Sequence, residues 1–320
     1  MGSRIQRWVV ESESSLEDFL RGVGVADTAR DEGRVFLNRK RVRGDEYRVA
    51  PGDVVSLGSP RGAGAPLDIL DERKGFYAVH KPASLPTLPD RNSDRSLLSE
   101  LADTLDVPRT SLGAVSRLDV GVSGIVLVWS NEESLEAAEE AKLRGSHYRR
   151  YLGITSAAPK DDRGRWTTPI PQRGGQKAAD TRYAVSRQLP ATDRDSAAAL
   201  LVLEPVTGRS HQLRIHTSAA GSPLFGDRRY GGVLRVTGDD GGVHQLSRIA
   251  LHCAVVELPL ADEVWRVSCP APVELENWWE RLGGQVQDFP AALDSESLVV
   301  RHAPNQGPGP PTRRVRKNRS

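Results

Sequence analysis

The hydrophobic positions of the chain fall into two spacings. Leu16, Phe19, Leu20 and Val23 recur every three or four residues within residues 14–29, behind acidic residues, which predicts a short amphipathic helix. Val35-Phe-Leu-Asn-Arg-Lys-Arg-Val42 then reads as strand, tight turn and strand, and Tyr47–Leu57 as a further turn with a closing strand. Apolar runs predict later strands at Ile69-Leu70, Phe76–His80, Ile125–Trp129, Arg149–Ile154, Asp180–Ser186, Ala198–Glu204 and Cys253–Glu257. Helices are predicted over Ser96–Thr104 and Glu132–Leu143; the second opens on acids and closes on Lys142 and Arg144, as the helix dipole favours. Strands and helices without regular βαβ spacing argue for an α+β fold, a mixed, largely antiparallel sheet flanked by helices.

Two stretches interrupt this patterning. Pro60-Arg-Gly-Ala-Gly-Ala-Pro66 has the composition of a linker. Pro304-Asn-Gln-Gly-Pro-Gly-Pro-Pro-Thr312 and the basic residues after it offer no core and are expected to be disordered. The expected organisation is a small domain over residues 1–60, a linker over 61–66, a body over 67–303 and a tail over 304–320. The last twenty residues carry Arg301, Arg313, Arg314, Arg316, Lys317 and Arg319 and no acid, so the net charge of +2 less those six leaves residues 1–300 at −4. A mildly acidic body must bind a polyanion through local patches. Outside the tail the densest patch is Arg39, Lys40, Arg41 and Arg43, on the tip of the first predicted hairpin.

Composition narrows the chemistry. Two cysteines make no disulfide framework, and Cys253, inside the apolar run Ile249–Leu260, reads as a buried thiol in a reducing compartment. With no apolar run of membrane-spanning length, neither secretion nor membrane insertion is indicated and a cytoplasmic protein is expected. Cys-x-x-Cys, His-Glu-x-x-His and calcium-loop patterns are absent, as are the glycine-rich phosphate loops, so neither a metal nor another cofactor is expected.

The candidate chemistry gathers in two segments. Gly113–Trp129 sets one carboxylate, Asp119, between a glycine-punctuated turn and a strand that reads as buried, where it can be held rigidly yet stay open to a ligand. Thr207-Gly-Arg-Ser-His-Gln-Leu-Arg-Ile-His216 is a dense donor cluster able to pair with a carboxylate and hold an anionic substrate.

Together these segments resemble the catalytic core of the RNA pseudouridine synthases with an Arg-Leu-Asp signature. Arg117, Leu118, Asp119, Ser123 and Gly124 match the first motif, with Ser116 and Val122 standing where histidine and threonine are usual. Thr207–Arg214 matches the Thr-Gly-Arg-Ser-His-Gln-Leu-Arg motif throughout, and Gly221–Gly231 resembles Gly-x-Pro-x-x-Gly-Asp-x-x-Tyr-Gly, read as a bracing loop. Arg149–Ile154 is similar to the strand that carries a uracil-packing aromatic, here Tyr151. His80–Thr87 is similar to a Lys-Pro-x-Gly segment with Ser84 in the glycine's place and Lys81 in a structural or RNA-proximal role, and Leu251-His252 matches a Leu-His element with a packed histidine.

The resemblance implies an enzyme that isomerises uridine in structured RNA without a cofactor, as a monomer. Large-subunit ribosomal RNA is the expected substrate. By resemblance Asp119 is the nucleophile, Arg214 its ion-pair partner and Tyr151 the aromatic wall, while Arg117 extrudes and holds the target nucleotide. RNA contact falls further to Arg149, Arg209 and His211. Attack at uracil C6 and assistance at ribose C1′ both remain open. Residues 1–60 resemble the S4 RNA-binding domain through the hairpin and its Pro51-Gly52-Asp53, with Arg39 where that turn has glycine, and Arg39, Lys40, Arg41 and Arg43 would then reach phosphates. The alternative reading is an RNA-binding protein on the same scaffold with weak or lost catalysis. A hydrolase using Asp119 and His211 lacks a second carboxylate motif.

Overall fold

The computed structural model describes residues 6–25, 28–31, 35–38, 40–42, 47–57, 67–89, 95–238 and 241–298. The chain forms two compact units, Met1–Leu135 and Glu136–Ser320, divided inside the helix Glu132–Arg144. The expected linker and basic tail lie outside the described residues.

The first unit begins with a four-stranded antiparallel sheet in the order Gln6–Val9, Val54–Leu57, Val35–Leu37, Lys40–Arg41. The helix Leu16–Gly22 turns Leu16 and Leu20 into a core with Val10, Val35, Val49 and Val55. This helix is shorter than the apolar spacing predicted. Gly24 takes φ 75°, and the Val25 amide turns back to the Leu20 carbonyl at 2.9 Å, the six-to-one closure that ends a helix on glycine. A second short helix, Thr28–Asp31, follows. The predicted hairpin is present, with Asn38 at φ 49°. The Asn38 side chain donates to Asp53 at 2.6 Å and accepts from the Val54 amide at 2.9 Å. The Ala50 amide and Asn38 together hold the Asp53 carboxyl below its usual range. Arg39 and Arg43 lie outside the described residues, as do the side chains of Lys40 and Arg41.

The same unit contains the strand Phe76–Lys81, paired antiparallel with Ile69–Arg73 and with Ser123–Trp129. Ser123–Trp129 is buried from Ser123 to Val128, as an uninterrupted apolar run requires. The helix Leu97–Leu105 starts at a reciprocal cap. The Ser99 amide donates to Ser96 Oγ at 3.1 Å and the Ser96 amide to Ser99 Oγ at 2.8 Å, so both orphan donors are satisfied.

The second unit is built on an antiparallel sheet in the order Arg163–Trp166, Thr181–Leu189, Ala198–Pro205, Tyr148–Thr155, Leu251–Leu260, Glu263–Ser268. Ala198–Pro205 is buried along its whole length, with apolar neighbours on both faces. Two helices not predicted, Val273–Arg281 and Asp288–Leu293, pack Leu275, Trp278, Trp279 and Phe289 against Leu152, Val202 and Phe225.

A buried polar clamp crosses this core. Arg150 Nε and the Tyr148 hydroxyl donate to one Glu204 carboxylate oxygen at 2.8 and 2.5 Å. Arg150 Nη1 donates to the Leu293 and Ser295 carbonyls at 2.7 and 2.8 Å, and the Leu298 amide to the other Glu204 oxygen at 2.8 Å. Such a pair withstands burial better when its other groups are engaged: Nη1 and the second carboxylate oxygen are hydrogen-bonded, while Nη2 lies 2.8 Å from the carboxylate as an ion pair without a hydrogen bond. Cys253 and Cys269 are both buried and form no disulfide with each other, and His252 is packed with Nε2 against the Cys269 carbonyl at 3.2 Å.

Candidate active site

In the first unit Asp119 opens the turn that feeds the strand Ser123–Trp129, and the Val122 amide donates to its carbonyl at 3.0 Å. Both neighbours of Asp119 are gripped by one segment. Thr87 Oγ1 accepts from the Leu118 amide and donates to the Leu118 carbonyl, each at 3.1 Å. The Val120 carbonyl accepts from the Ser84 amide at 2.8 Å and from Lys81 Nζ at 3.4 Å. Lys81 is wholly buried and also donates to the carbonyls of Leu85 and Pro82 at 2.7 and 3.0 Å. Its charge is therefore spent on bending the chain, the structural role expected of it.

Ser84 adopts φ 73°, the left-handed conformation for which glycine is suited. Leu118 and Val122 are buried, Asp119 is half-buried and Arg117 is exposed, so the carboxylate is anchored through its backbone while its guanidinium neighbour faces outward.

In the second unit the Thr207–His216 motif folds as a turn and the helix Gln212–Ala219. Gln212 organises the turn: its Oε1 accepts from Thr207 Oγ1 at 2.7 Å and the Arg209 amide at 3.0 Å, and its Nε2 donates to the Asp180 carbonyl and Thr181 Oγ1, both at 2.9 Å. His216, one turn on, is buried between Thr181 Oγ1 and the Thr168 carbonyl, each at 2.9 Å from a ring nitrogen. Burial lowers its pKa against the opposing pull of the Thr168 carbonyl, and the neutral ring with hydrogen on Nε2 suits those partners. Arg209 is exposed, with Nε on the Ala178 carbonyl at 3.1 Å.

Arg214 is the guanidinium this helix buries. Its Nε and Nη2 donate to the two oxygens of Asp227 at 2.7 and 2.8 Å, and Asp227 is 1% exposed. Tyr230 lies against the same guanidinium, with Arg214 Cζ 4.9 Å from the ring centroid and Arg229 Cζ 5.5 Å from it. His211, in the left-handed region at φ 58° ahead of the helix, reaches the Tyr230 hydroxyl through Nδ1 at 2.9 Å.

The loop carrying Asp227 and Tyr230 is fixed at Gly226. This residue has φ 74°, and a β-carbon on it would lie 1.8 Å from the Arg248 carbonyl oxygen. The sequence reading treats this loop as a brace; Asp227 and Tyr230 are functional neighbours it leaves unassigned, although the Asp-x-x-Tyr spacing is legible.

Tyr151 is buried in the strand Tyr148–Thr155 at a register shift: Arg150 faces Val255 and Tyr151 faces Cys253, with Ala254 the extra residue. Bulges of this kind re-aim a side chain. Arg149, one residue earlier, approaches the motif turn, since a β-carbon on Gly208 would stand 3.3 Å from its Nη1. The second unit thus brings together His211 and Arg214 with Asp227 and Tyr230, while Arg149 lies by Gly208 and the Pro205 carbonyl. Among the described residues no cluster of His, Cys, Asp or Glu is arranged to hold a metal ion, and no helix is long and apolar enough to cross a membrane.

The chain is similar to known proteins. Residues 75–219 match the family model described as RNA pseudouridylate synthase. The chain is 31% identical over 233 residues to ribosomal large subunit pseudouridine synthase D of Xylella fastidiosa, covering 66% of this chain and 67% of that protein. It is 28% identical over 299 residues to the protein of the same name from Xanthomonas campestris, covering 86% of this chain and 82% of the relative. The solved structure of human RNA pseudouridylate synthase domain containing 1 superposes with a TM-score of 0.55 at 23% identity, over 69% of this chain and 91% of that one, a likeness of fold.

Proposed function

The chain belongs to the RNA pseudouridine synthase family and isomerises uridine in RNA to pseudouridine, and we propose that Asp119 is its nucleophile and large-subunit ribosomal RNA its substrate. The observation that carries the first assignment is the grip on both neighbours of Asp119 by Thr87, Ser84 and Lys81. A carboxylate whose backbone is fixed on either side loses little freedom when it meets a flipped nucleotide. The ribosomal substrate follows the names of the relatives.

The reaction is an internal transfer. The N1–C1′ bond breaks, the freed uracil turns, a C5–C1′ bond forms, and the C5 proton is lost as N1 gains one. Asp119 supplies the electron pair that stabilises the separated state, at C6 or at C1′. Arg214 serves as the ion-pair partner of that carboxylate, and Tyr151 offers a face to the detached base, where stacking contributes about 1–3 kcal/mol. Arg117, exposed beside Asp119, takes the vacancy left in the RNA, and Arg149, Arg209 and His211 hold phosphates. Residues 1–60 act as an S4-like grip through Arg39, Lys40, Arg41 and Arg43, on a cytoplasmic monomer in which residues 67–303 perform the chemistry.

The test is Asp119→Asn under single-turnover conditions, beside pseudouridine mapping of total RNA from cells with and without the protein. The variant should bind RNA and form no product, and sites in large-subunit RNA should disappear from the depleted cells. Product formation by the variant at the parental rate removes the nucleophile; loss of sites only in transfer RNA removes the substrate.

A further inference from the structure

We infer that Asp227 is a positioning residue for the isomerisation, acting through Arg214, with Tyr230 and His211 as the other wall of the same holder. The inference rests on the reading that Arg214 serves the Asp119 carboxylate, and it adds a requirement that reading does not contain.

A guanidinium has two edges and two faces. Asp227 takes the edge formed by Nε and Nη2, with both oxygens engaged at 2.7 and 2.8 Å. The Tyr230 ring takes a face at 4.9 Å, and the Tyr230 hydroxyl is tied to His211 Nδ1 at 2.9 Å. Asp227 is itself fixed: its Oδ1 accepts from the Arg229 and Tyr230 amides at 3.2 and 3.3 Å. A bidentate pair on a rigid carboxylate sets the plane of the guanidinium as well as its position. Nη1 is thereby given one direction in which to donate.

This holder does more than neutralise charge. An arginine needed only as a cation would tolerate a swinging guanidinium. Here a carboxylate and an aromatic ring meet one side chain that the motif already marks, and the ring is itself tied to a histidine in a left-handed conformation. His211 is accordingly assigned to this wall as well as to phosphate contact. A guanidinium held in this way presents its charge at one position, and a displacement on the order of 1 Å can cost roughly 10²-fold in rate.

The experiment is a double-substitution cycle on the full chain, with kcat and KM measured on one RNA substrate. Asp227→Asn should lower kcat by roughly 10²-fold with KM nearly unchanged, since RNA contacts are not touched. Asp227→Glu, which restores the charge, should recover part of the loss. In an Arg214→Met background the same Asp227→Asn change should cost no further rate, because the residue it acts through is gone.

A merely structural Asp227 would lower rate equally in both backgrounds, and that result overturns the inference, as does an Asp227→Asn enzyme with parental kcat. Should Asp227→Asn fold poorly, Arg214→Met and its Asp227→Asn double still decide when compared per folded molecule, the double leaving neither member of the pair charged: a further loss of rate refutes, parity supports. An active Asp119→Asn enzyme would fail the nucleophile assignment instead, so the two failures are distinct.

Discussion

Thr87 offers a direct measure of how far the catalytic turn depends on its grip. Replacing it with valine keeps shape and volume but removes the hydroxyl that both accepts from and donates to Leu118, at 3.1 Å in each direction. The site is closed to water, Thr87 being 3% exposed and Leu118 7%. Each backbone group stranded there costs about 1–3 kcal/mol, so losing both should lower the unfolding free energy by roughly 2–6 kcal/mol.

Because the stranded groups flank Asp119, the turn should also drift, and single-turnover rate should fall by roughly 10²-fold. Urea unfolding and single-turnover conversion on the same preparation test both. Thr87→Ser, which keeps the hydroxyl, should lie close to the parent in both. A Thr87→Val protein with the parental midpoint and rate would refute the claim that this hydroxyl holds the turn; a stability loss with an unchanged rate would leave the bonds but detach them from catalysis.

Three further outcomes are expected. Ser84→Gly should hold or raise stability by about 0–1 kcal/mol, relief of left-handed strain offsetting the greater freedom of the unfolded glycine, while Ser84→Val should lower the melting temperature. Burial, with Arg149 and Lys142 nearby, drives His147 well below its ordinary pKa of 6.5, and burial lowers His216 as well. Both are neutral in the fold, so the unfolded chain binds more protons below about pH 6.5 and stability, complete above that pH, should fall as the pH drops towards about 5; denaturant melts of His147→Gln across that range should show a smaller fall, and an identical slope would contradict this. Neutralising Arg39, Lys40, Arg41 and Arg43 should weaken binding to long structured RNA and flatten its salt dependence, with little effect on a short single-stranded substrate; equal losses on both would place the N-terminal region in the active site.

Some of this molecule is legible before folding. The buried strand after Asp119 and the Thr-Gly-Arg turn announce themselves because apolar runs and glycine punctuation are local signals. The helix capped at Ser96 is legible for the same reason. The helix Val273–Arg281 is not, although Leu275, Trp278, Trp279 and Leu282 keep the three-and-four spacing, because Pro270, Pro272, Glu274 and Glu276 make its start read as a loop. The first helix falls short of residues 14–29 because the left-handed backbone of Gly24, just past the last apolar position Val23, ends it. The Asp119 grip and the Arg214 holder join residues far apart in sequence, Thr87 to Leu118 and Arg214 to Asp227, and no periodicity encodes such pairs. For Lys81 the sequence leaves a structural and an RNA-proximal role open, and only its buried carbonyl partners Pro82, Leu85 and Val120 favour the first.

The clamp on Arg150 has a consequence for the order in which the molecule can be finished. Tyr151 sits on the strand that carries Arg150, and two of the acceptors that satisfy Arg150 lie on Leu293 and Ser295, the first of them 143 residues further along the chain. During synthesis Glu204 emerges earlier and can neutralise the charge. The bond donors on Arg150 Nη1 and the second oxygen of Glu204 must wait for residues 293–298. A nascent chain therefore carries its catalytic motifs long before the strand behind Tyr151 is locked, and that lock waits until residues 293–298 have emerged.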